Sequence, residues 1–189
     1  MRKISSKETE KKKQKRNQII VSVILIFVMF FSVLGFAFNG GDNETTNKLN
    51  YNGFEFINQN GFWIFEKEAF QFVFRYNPKE VRGIDSEVDY INKYLDKPLY
   101  IYSENDEASS EIYNNFDQIV QRMQFACFNE KECDENLPTK TCENNFIIIT
   151  ENNVTNITQT DNCVFIEGAQ ENLTMLTDEF LFKILGIRE

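Results

Sequence analysis

The order of hydrophobic and polar residues divides the chain into an apolar N-terminal stretch and a longer region with regular patterns. Ile19 to Phe38 is an uncharged, mostly apolar run. As a helix it would measure about 30 Å, the thickness of the hydrocarbon core of a bilayer. From Tyr51 onward, apolar residues alternate with polar ones or recur every three to four positions, as in elements that face a core. The pattern therefore predicts a transmembrane helix followed by one folded domain.

The first part of the patterned region predicts an antiparallel strand meander. The segments GFEFI, FWIF and FQFVFRY are separated by turn signals at 58–61 and near 66–68. In the third segment Phe70, Phe72 and Phe74 fall on one face, as expected for a half-buried strand. Pro78 cannot donate to a sheet ladder and should end the meander.

The second part predicts a mixture of strands and helices. A short helix is expected from about 85 to 95, strands are expected at LYIY, at 146–149 and at 164–166, and a final helix should end at Gly186. A longer helix after LYIY is predicted from one apolar face, which contains Ile112, Phe116, Ile119, Val120, Met123 and Cys127. The predicted fold class is α/β (α+β): an N-terminal transmembrane helix, then a mixed-sheet domain with an antiparallel strand meander and two principal helices.

Charge predicts the orientation of the chain in a membrane. Residues 1–18 contain eight Lys and Arg but only two acidic residues, and such a basic head is retained on the cytoplasmic side. We therefore expect a cytoplasmic head at 1–18, a single-pass signal-anchor at 19–38, a flexible tether at 39–50 and an extracytoplasmic domain at 51–189, at the cell membrane. Small residues at Gly35 and Ala37 leave a cleaved signal peptide as the alternative.

Composition excludes several classes of function. After the head, 12 basic and 27 acidic residues remain, a net charge of −15, which disfavours nucleic acid as a partner. The chain contains no histidine, which excludes His-based triads and the usual catalytic zinc sites. We predict no catalytic residue, no metal and no cofactor, so any enzyme here would use carboxylates, Lys, Tyr or Cys.

Four cysteines, Cys127, Cys133, Cys142 and Cys163, fall in the predicted external domain, where thiols are usually oxidised. Their spacing matches neither a zinc knuckle nor a CxxC redox motif. Two disulfides are the simplest interpretation, and three connectivities are open. We favour Cys127 with Cys133 and Cys142 with Cys163, because these pairs would fix the exit of a helix and join the two late strands.

Two further features are candidates for sites. Asn43, Asn153, Asn156 and Asn172 each begin an Asn-x-Thr sequon and are candidate glycosylation positions, although a chain this rich in Asn produces sequons by chance. Glu104 and Asp106 follow the LYIY strand, where open α/β sheets bind ligands, and could hold a cation. The simpler interpretation is that Asn105 or Asp106 caps the following helix.

The segments YNGFEF, LPTKTC, DNCVFIEG and FLFKILGI give the chain a resemblance to uncharacterised archaeal single-pass membrane proteins with a cysteine-containing external α/β domain. The resemblance covers most of 51–187. It implies the anchor and the cysteine interpretation, and it assigns no activity.

The sequence thus predicts a non-enzymatic, membrane-anchored extracytoplasmic domain that binds or scaffolds a protein partner at the cell surface. The alternatives are a carboxylate-based, cation-dependent enzyme or cation-binding surface protein, and an accessory subunit of a membrane complex.

Overall fold

A computed structural model of the protein describes residues 7–39, 47–128 and 136–188. The chain forms two separate compact units, one before and one after residue 45. The described residues of the first form helix α1, Lys7–Asn39. Among the residues described, no helix meets the length and apolarity needed to cross a membrane. The side chains described within α1 extend only from Lys15 to Phe31.

The second unit begins with the predicted meander. Its four antiparallel strands are β1 Asn47–Tyr51, β2 Phe54–Gln59, β3 Phe62–Lys67 and β4 Phe70–Phe74. Asn52–Gly53 and Asn60–Gly61 form the first two turns with positive φ at both residues, which matches the twist of tight hairpins. Phe56 pairs with Phe65, and Phe65 pairs with Phe72, so phenylalanine rings line the buried face.

The described residues after the meander form a second, mixed sheet, two helices and a small strand pair. The strands are β5 Pro98–Ser103, β6 Arg122–Phe125, β7 Cys127–Phe128, β8 Thr139–Lys140, β9 Phe146–Glu151, β10 Asn156–Thr160 and β11 Cys163–Gly168. The helices are α2 Asp106–Phe116 and α3 Leu173–Ile184, with short 3-10 turns at Ile91–Tyr94 and Gln170–Asn172. The mixed sheet has the order β10-β11-β9-β5-β6, and only β10 runs antiparallel to its neighbour.

The two helices lie between the two sheets. Helix α2 contacts β4 of the meander and β5 of the mixed sheet, and α3 contacts α2, β9 and β11. Phe182 of α3 packs against Phe56 and Phe74 of the meander, with ring centroids 6.1 and 4.7 Å apart. The α/β class, the meander and the two principal helices of the domain are therefore confirmed. The sequence did not indicate that the helices would be covered on both sides.

The predicted helix from 85 to 95 is wrong. This segment is extended and contains only the 3-10 turn Ile91–Tyr94. Two distant side chains hold its backbone: Lys183 donates to the carbonyl oxygen of Ser86, and the side chain of Gln159 accepts from the amide of Asp89. Of its apolar residues, Val88 and Ile91 still pack against the core, whereas Leu95 is exposed.

The helix predicted to run through Cys127 ends at Phe116. Residues 122–125 instead form β6, because they pair in parallel with β5 across a long sequence separation. The prediction that this apolar face is buried is nevertheless correct: Ile112, Phe116, Ile119, Val120 and Cys127 are in the core, and Met123 is partly buried.

The last helix begins and ends close to its predicted positions. Gly186 has φ +70°, and the amide of Ile187 donates back to the carbonyl oxygen of Phe182, which ends α3 with a glycine C-cap. The predicted tether at 39–50 overlaps β1, which pairs with β2 from Asn47 onward, and 40–46 lie outside the described residues.

Cys142 and Cys163 form a disulfide with a Cα–Cα distance of 4.9 Å, as predicted. The bridge joins the first residue of β11 to the segment just before β9. Cys127 is also disulfide-bonded, and its predicted partner Cys133 lies outside the described residues.

Replacing both Cys142 and Cys163 with serine should lower the free energy of unfolding by about 3 kcal/mol, because a bridge across about 20 residues restricts the unfolded chain. For a domain of this size the melting temperature should fall by roughly 6 to 12 °C. Thermal unfolding of the detergent-solubilised chain measures this, with Thr141→Ser as the control beside an intact bridge. An unchanged melting temperature, together with alkylatable thiols at both positions in the native wild type, would contradict the bridge.

Candidate functional site

Three groups of polar side chains surround α3, and the first is a buried pair of carboxyl groups. Glu111 of α2 and Asp178 of α3 are 3% and 0% exposed, and their carboxyl groups are joined by a hydrogen bond. Asp178 Oδ2 accepts from the amide of Tyr76 at 2.8 Å. Because two ionised carboxylates can only accept hydrogen bonds, one member of the pair must carry a proton when this bond forms.

Burial raises the pKa of Glu111 to about 7, although the nearby positive charge of Arg75 opposes this rise. Burial and the charge of Glu111 also raise the pKa of Asp178 well above its ordinary value. Arg75 pairs with the exposed Glu107 at 3.0 Å and lies 3.8 Å from Glu111. The pair does not line the cleft at residues 81–84, the small cavity beside Lys67 or the cavity beside Tyr100. We interpret it as a structural link between the two helices and β4.

Beside this pair, Asn115 of α2 closes the free edge of the meander. Its Oδ1 accepts from the amide of Val73, and its Nδ2 donates to the carbonyl oxygen of the same residue, both at 2.8 Å. Gln118 donates to the carbonyl oxygen of Gln71, one ladder position away. These amide side chains thus form hydrogen bonds with β4 that a fifth strand would otherwise form.

The second group is an ion pair that fixes the loop after β4. Arg188 donates to Glu179 Oε2 at 2.5 Å, to the carbonyl oxygens of Pro78 and Val81, and to the hydroxyl of Tyr51. Glu179 is fully buried, and its Oε1 accepts from the amide of Ile84 at 3.2 Å. Loop 78–84 is therefore held at several points.

The third group lines an open cleft of about 490 Å³ between loop 78–84, the start of α3 and the segment before β10. Val81 and Leu176, which are almost fully buried, contribute apolar surface, as do the partly buried Ile84 and Met175. The volume is within the range of small-molecule sites, which are usually apolar with a few polar groups.

Three polar side chains line the same cleft: Arg82, Thr155 and Asn172. Within the described part of the chain, none of the three side chains has a hydrogen-bond or ion-pair partner. Arg82 is exposed, and Asn172, the residue before α3, does not cap that helix. The cleft therefore offers a guanidinium, a hydroxyl and an amide beside an apolar surface.

The predicted ligand residues Glu104 and Asp106 lie elsewhere, at the carboxyl end of β5. Glu104 Oε2 accepts from the amide of Glu151 at 2.8 Å, and Gln170 donates to the Glu104 carbonyl oxygen. Asn105 caps α2 by accepting from the amide of Ala108. This edge is held together by contacts between loops, and no cluster of acidic or cysteine side chains with metal-binding geometry occurs among the described residues.

The glycosylation candidates are spread over several surfaces. Asn153 is exposed, Asn156 begins the edge strand β10, and Asn172 lies at the cleft with the threonine of its sequon, Thr174, buried. Asn43 lies outside the described residues. From the sequence, Asn172 was expected only as a sequon, and neither Arg82, Thr155 nor the buried carboxyl pair was predicted. A signal in the sequence existed only for Asp178, an acidic residue within the largely apolar helix α3, whereas Glu111 follows two serines.

The first prediction from this site concerns pH. Because the folded state holds the Glu111 proton more tightly than the unfolded state, stability should be greatest at or below about pH 4.5 and should fall as the pH rises to about 7. The Glu111 share of this loss should be roughly 3 kcal/mol, and ionisation of Asp178, whose pKa is also raised, should lower the stability further. Glu111→Gln should flatten this dependence in urea unfolding, whereas Glu107→Gln, at an exposed partner of Arg75, should retain it. Equal pH profiles for wild type and Glu111→Gln would contradict the assignment.

The second prediction concerns the buried ion pair. Arg188→Met should lower the free energy of unfolding by about 3 to 5 kcal/mol, because it leaves the buried Glu179 carboxylate without its cation. Adding Glu179→Gln should recover part of this loss by removing the charge itself. Urea unfolding at neutral pH measures both variants. A loss below about 1 kcal/mol for Arg188→Met would show that the pair does not hold the loop.

The groups that line the cleft are suited to binding a ligand through noncovalent contacts. Its unpaired groups can donate hydrogen bonds and neutralise one negative charge, and its apolar side can cover a hydrocarbon surface. The three polar side chains that line the cleft include neither a nucleophile–base pair nor a carboxylate. No protein-family model, curated protein or solved structure matches the chain.

Proposed function

We propose that the protein is a membrane-anchored domain that binds or scaffolds a partner outside the cell. The observation that carries this proposal is the surface of α1. Between Ile19 and Phe31, twelve large apolar side chains are 48–70% exposed. They are nearly consecutive, so they point to every side of the helix.

A helix that is apolar on all sides needs an apolar environment, and a bilayer provides one. The apolar run of the sequence continues from Phe31, the last residue with a described side chain, to Phe38. The full run has the length of a span, and this supports insertion as a single-pass signal-anchor. The basic head at 1–18 favours a cytoplasmic N-terminus and an external C-terminal domain.

The disulfide between Cys142 and Cys163 agrees with an external location, because thiols remain reduced in most cytosolic proteins. The resemblance to archaeal single-pass membrane proteins with a cysteine-containing external domain favours the same arrangement. Binding is favoured over catalysis because the open cleft offers recognition groups, while the buried acids Glu111, Asp178 and Glu179 are engaged in internal contacts. Glu104, the main residue of the carboxylate alternative, is likewise engaged.

The anchor is tested with the full chain. Ile24→Lys combined with Phe27→Glu should release the protein from membranes that retain the wild type after carbonate washing, because charges at the centre of an inserted helix are strongly disfavoured. Asn17→Lys with Gln18→Glu, the same charges placed just before the run, is the matched control. Protease added to intact cells should remove the external domain and spare the head.

Wild-type protein that carbonate removes from membranes would overturn the anchor, and a mature N-terminus near Phe38 would show a cleaved signal. Gentle detergent extraction tests the partner. A protein recovered at fixed stoichiometry supports scaffolding or a role as an accessory subunit, whereas a chain that is always recovered alone argues against both.

A further inference from the structure

We propose that the cleft beside α3 binds a small organic monoanion, a carboxylate attached to a compact apolar body. This inference rests on the proposed binding function and specifies its ligand. It starts from a contrast within one stretch of chain. Arg75 and Arg188 are both engaged by neighbouring groups, whereas Arg82 between them has no partner among the described residues.

The position of Arg82 is fixed by the backbone that carries it. Val81 and Ile84, on either side, are held through the hydrogen bonds to Arg188 and Glu179. Gly83 lies so close to the Arg188 guanidinium that a Cβ atom there would be 3.3 Å from its Nη1. Arg82 is therefore presented at the rim of the cleft by a braced loop, which lowers the entropy lost on binding.

The polar groups of the cleft suit one carboxylate. A guanidinium binds a carboxylate through two parallel hydrogen bonds, and the amide of Asn172 and the hydroxyl of Thr155 can donate further bonds. Arg82 is the only cation that lines the cleft in the described structure. The external region carries a net charge of about −15, so a ligand with several negative charges would be repelled.

The apolar side of the cleft determines the size and chemistry of the rest of the ligand. Met175 and Leu176 lie on the first turns of α3, and Val81 and Ile84 lie opposite on the loop. A cleft of about 490 Å³ has room for a ring or a short branched chain behind the carboxylate. Apolar burial then supplies affinity, and the ion pair supplies selectivity for an acid over a neutral molecule.

The test uses the full chain in phospholipid nanodiscs, produced in a bacterial host so that Asn172 carries no glycan. Isothermal titration with 4-phenylbutyrate, corrected with empty nanodiscs, should show one site per chain. The neutral analogue 4-phenylbutyramide should bind at least tenfold more weakly, and acetate, which lacks the apolar body, should not bind measurably.

Arg82→Gln should weaken 4-phenylbutyrate binding at least tenfold and remove the preference for the acid over the amide. Arg82→Lys should retain part of that preference. Lys79→Gln removes an exposed charge of the same sign from the same loop without touching the cleft and should bind like wild type. Met175→Ala should weaken the binding of 4-phenylbutyrate and of 4-phenylbutyramide by the same factor, since it removes only apolar contact.

Two results would overturn the inference: no binding of 4-phenylbutyrate to the wild type, or equal affinity of wild type and Arg82→Gln. If either occurs while the chain stays in membranes and recovers a partner at fixed stoichiometry, only the ligand class is wrong. Release of the wild type from membranes would instead contradict the proposed function, whatever the titration shows.

Discussion

The burial of α3 on every side is the constraint on which the rest of the domain depends. The helix lies between two sheets, and of its twelve residues all but Met175 are buried. Its polar side chains must therefore find partners inside the protein. Asp178 binds the amide of Tyr76, Glu179 binds the amide of Ile84, and Lys183 binds the carbonyl oxygen of Ser86.

All three contacts are made with the backbone of one segment, the connection that follows the meander. One buried helix thus determines the path of residues 76–86, and with it one wall of the cleft. This explains why residues 76–86, which contain neither a strand nor a helix, have a defined structure. It also explains the failure of the helix predicted at 85–95, because backbone groups that a helix would pair internally are used by side chains of α3 and β10.

Local patterns in the sequence were sufficient for elements whose partners are close along the chain. The meander follows from alternating phenylalanines and a tight turn at Asn60–Gly61, and the end of α3 follows from Gly186. Local patterns were insufficient at 122–125, where pairing with β5 across a long sequence separation outweighs the helical periodicity of the apolar residues. The cleft could not be predicted from the sequence for the same reason. Arg82, Thr155 and Asn172 are distant in sequence, and only the folded structure shows that they line one cleft and that their side chains have no partner among the described residues.

The side chain of Asn115 has a consequence for copies of the domain at high concentration. Strand β4 reads FQFVF, and an uncharged aromatic strand at a sheet edge is a template for assembly between molecules. Asn115 and Gln118 occupy the amide and carbonyl oxygen of Val73 and the carbonyl oxygen of Gln71, so a neighbouring copy cannot pair with this part of the edge without displacing them. Domains held side by side at high local concentration can then remain separate while keeping a core built largely from phenylalanine.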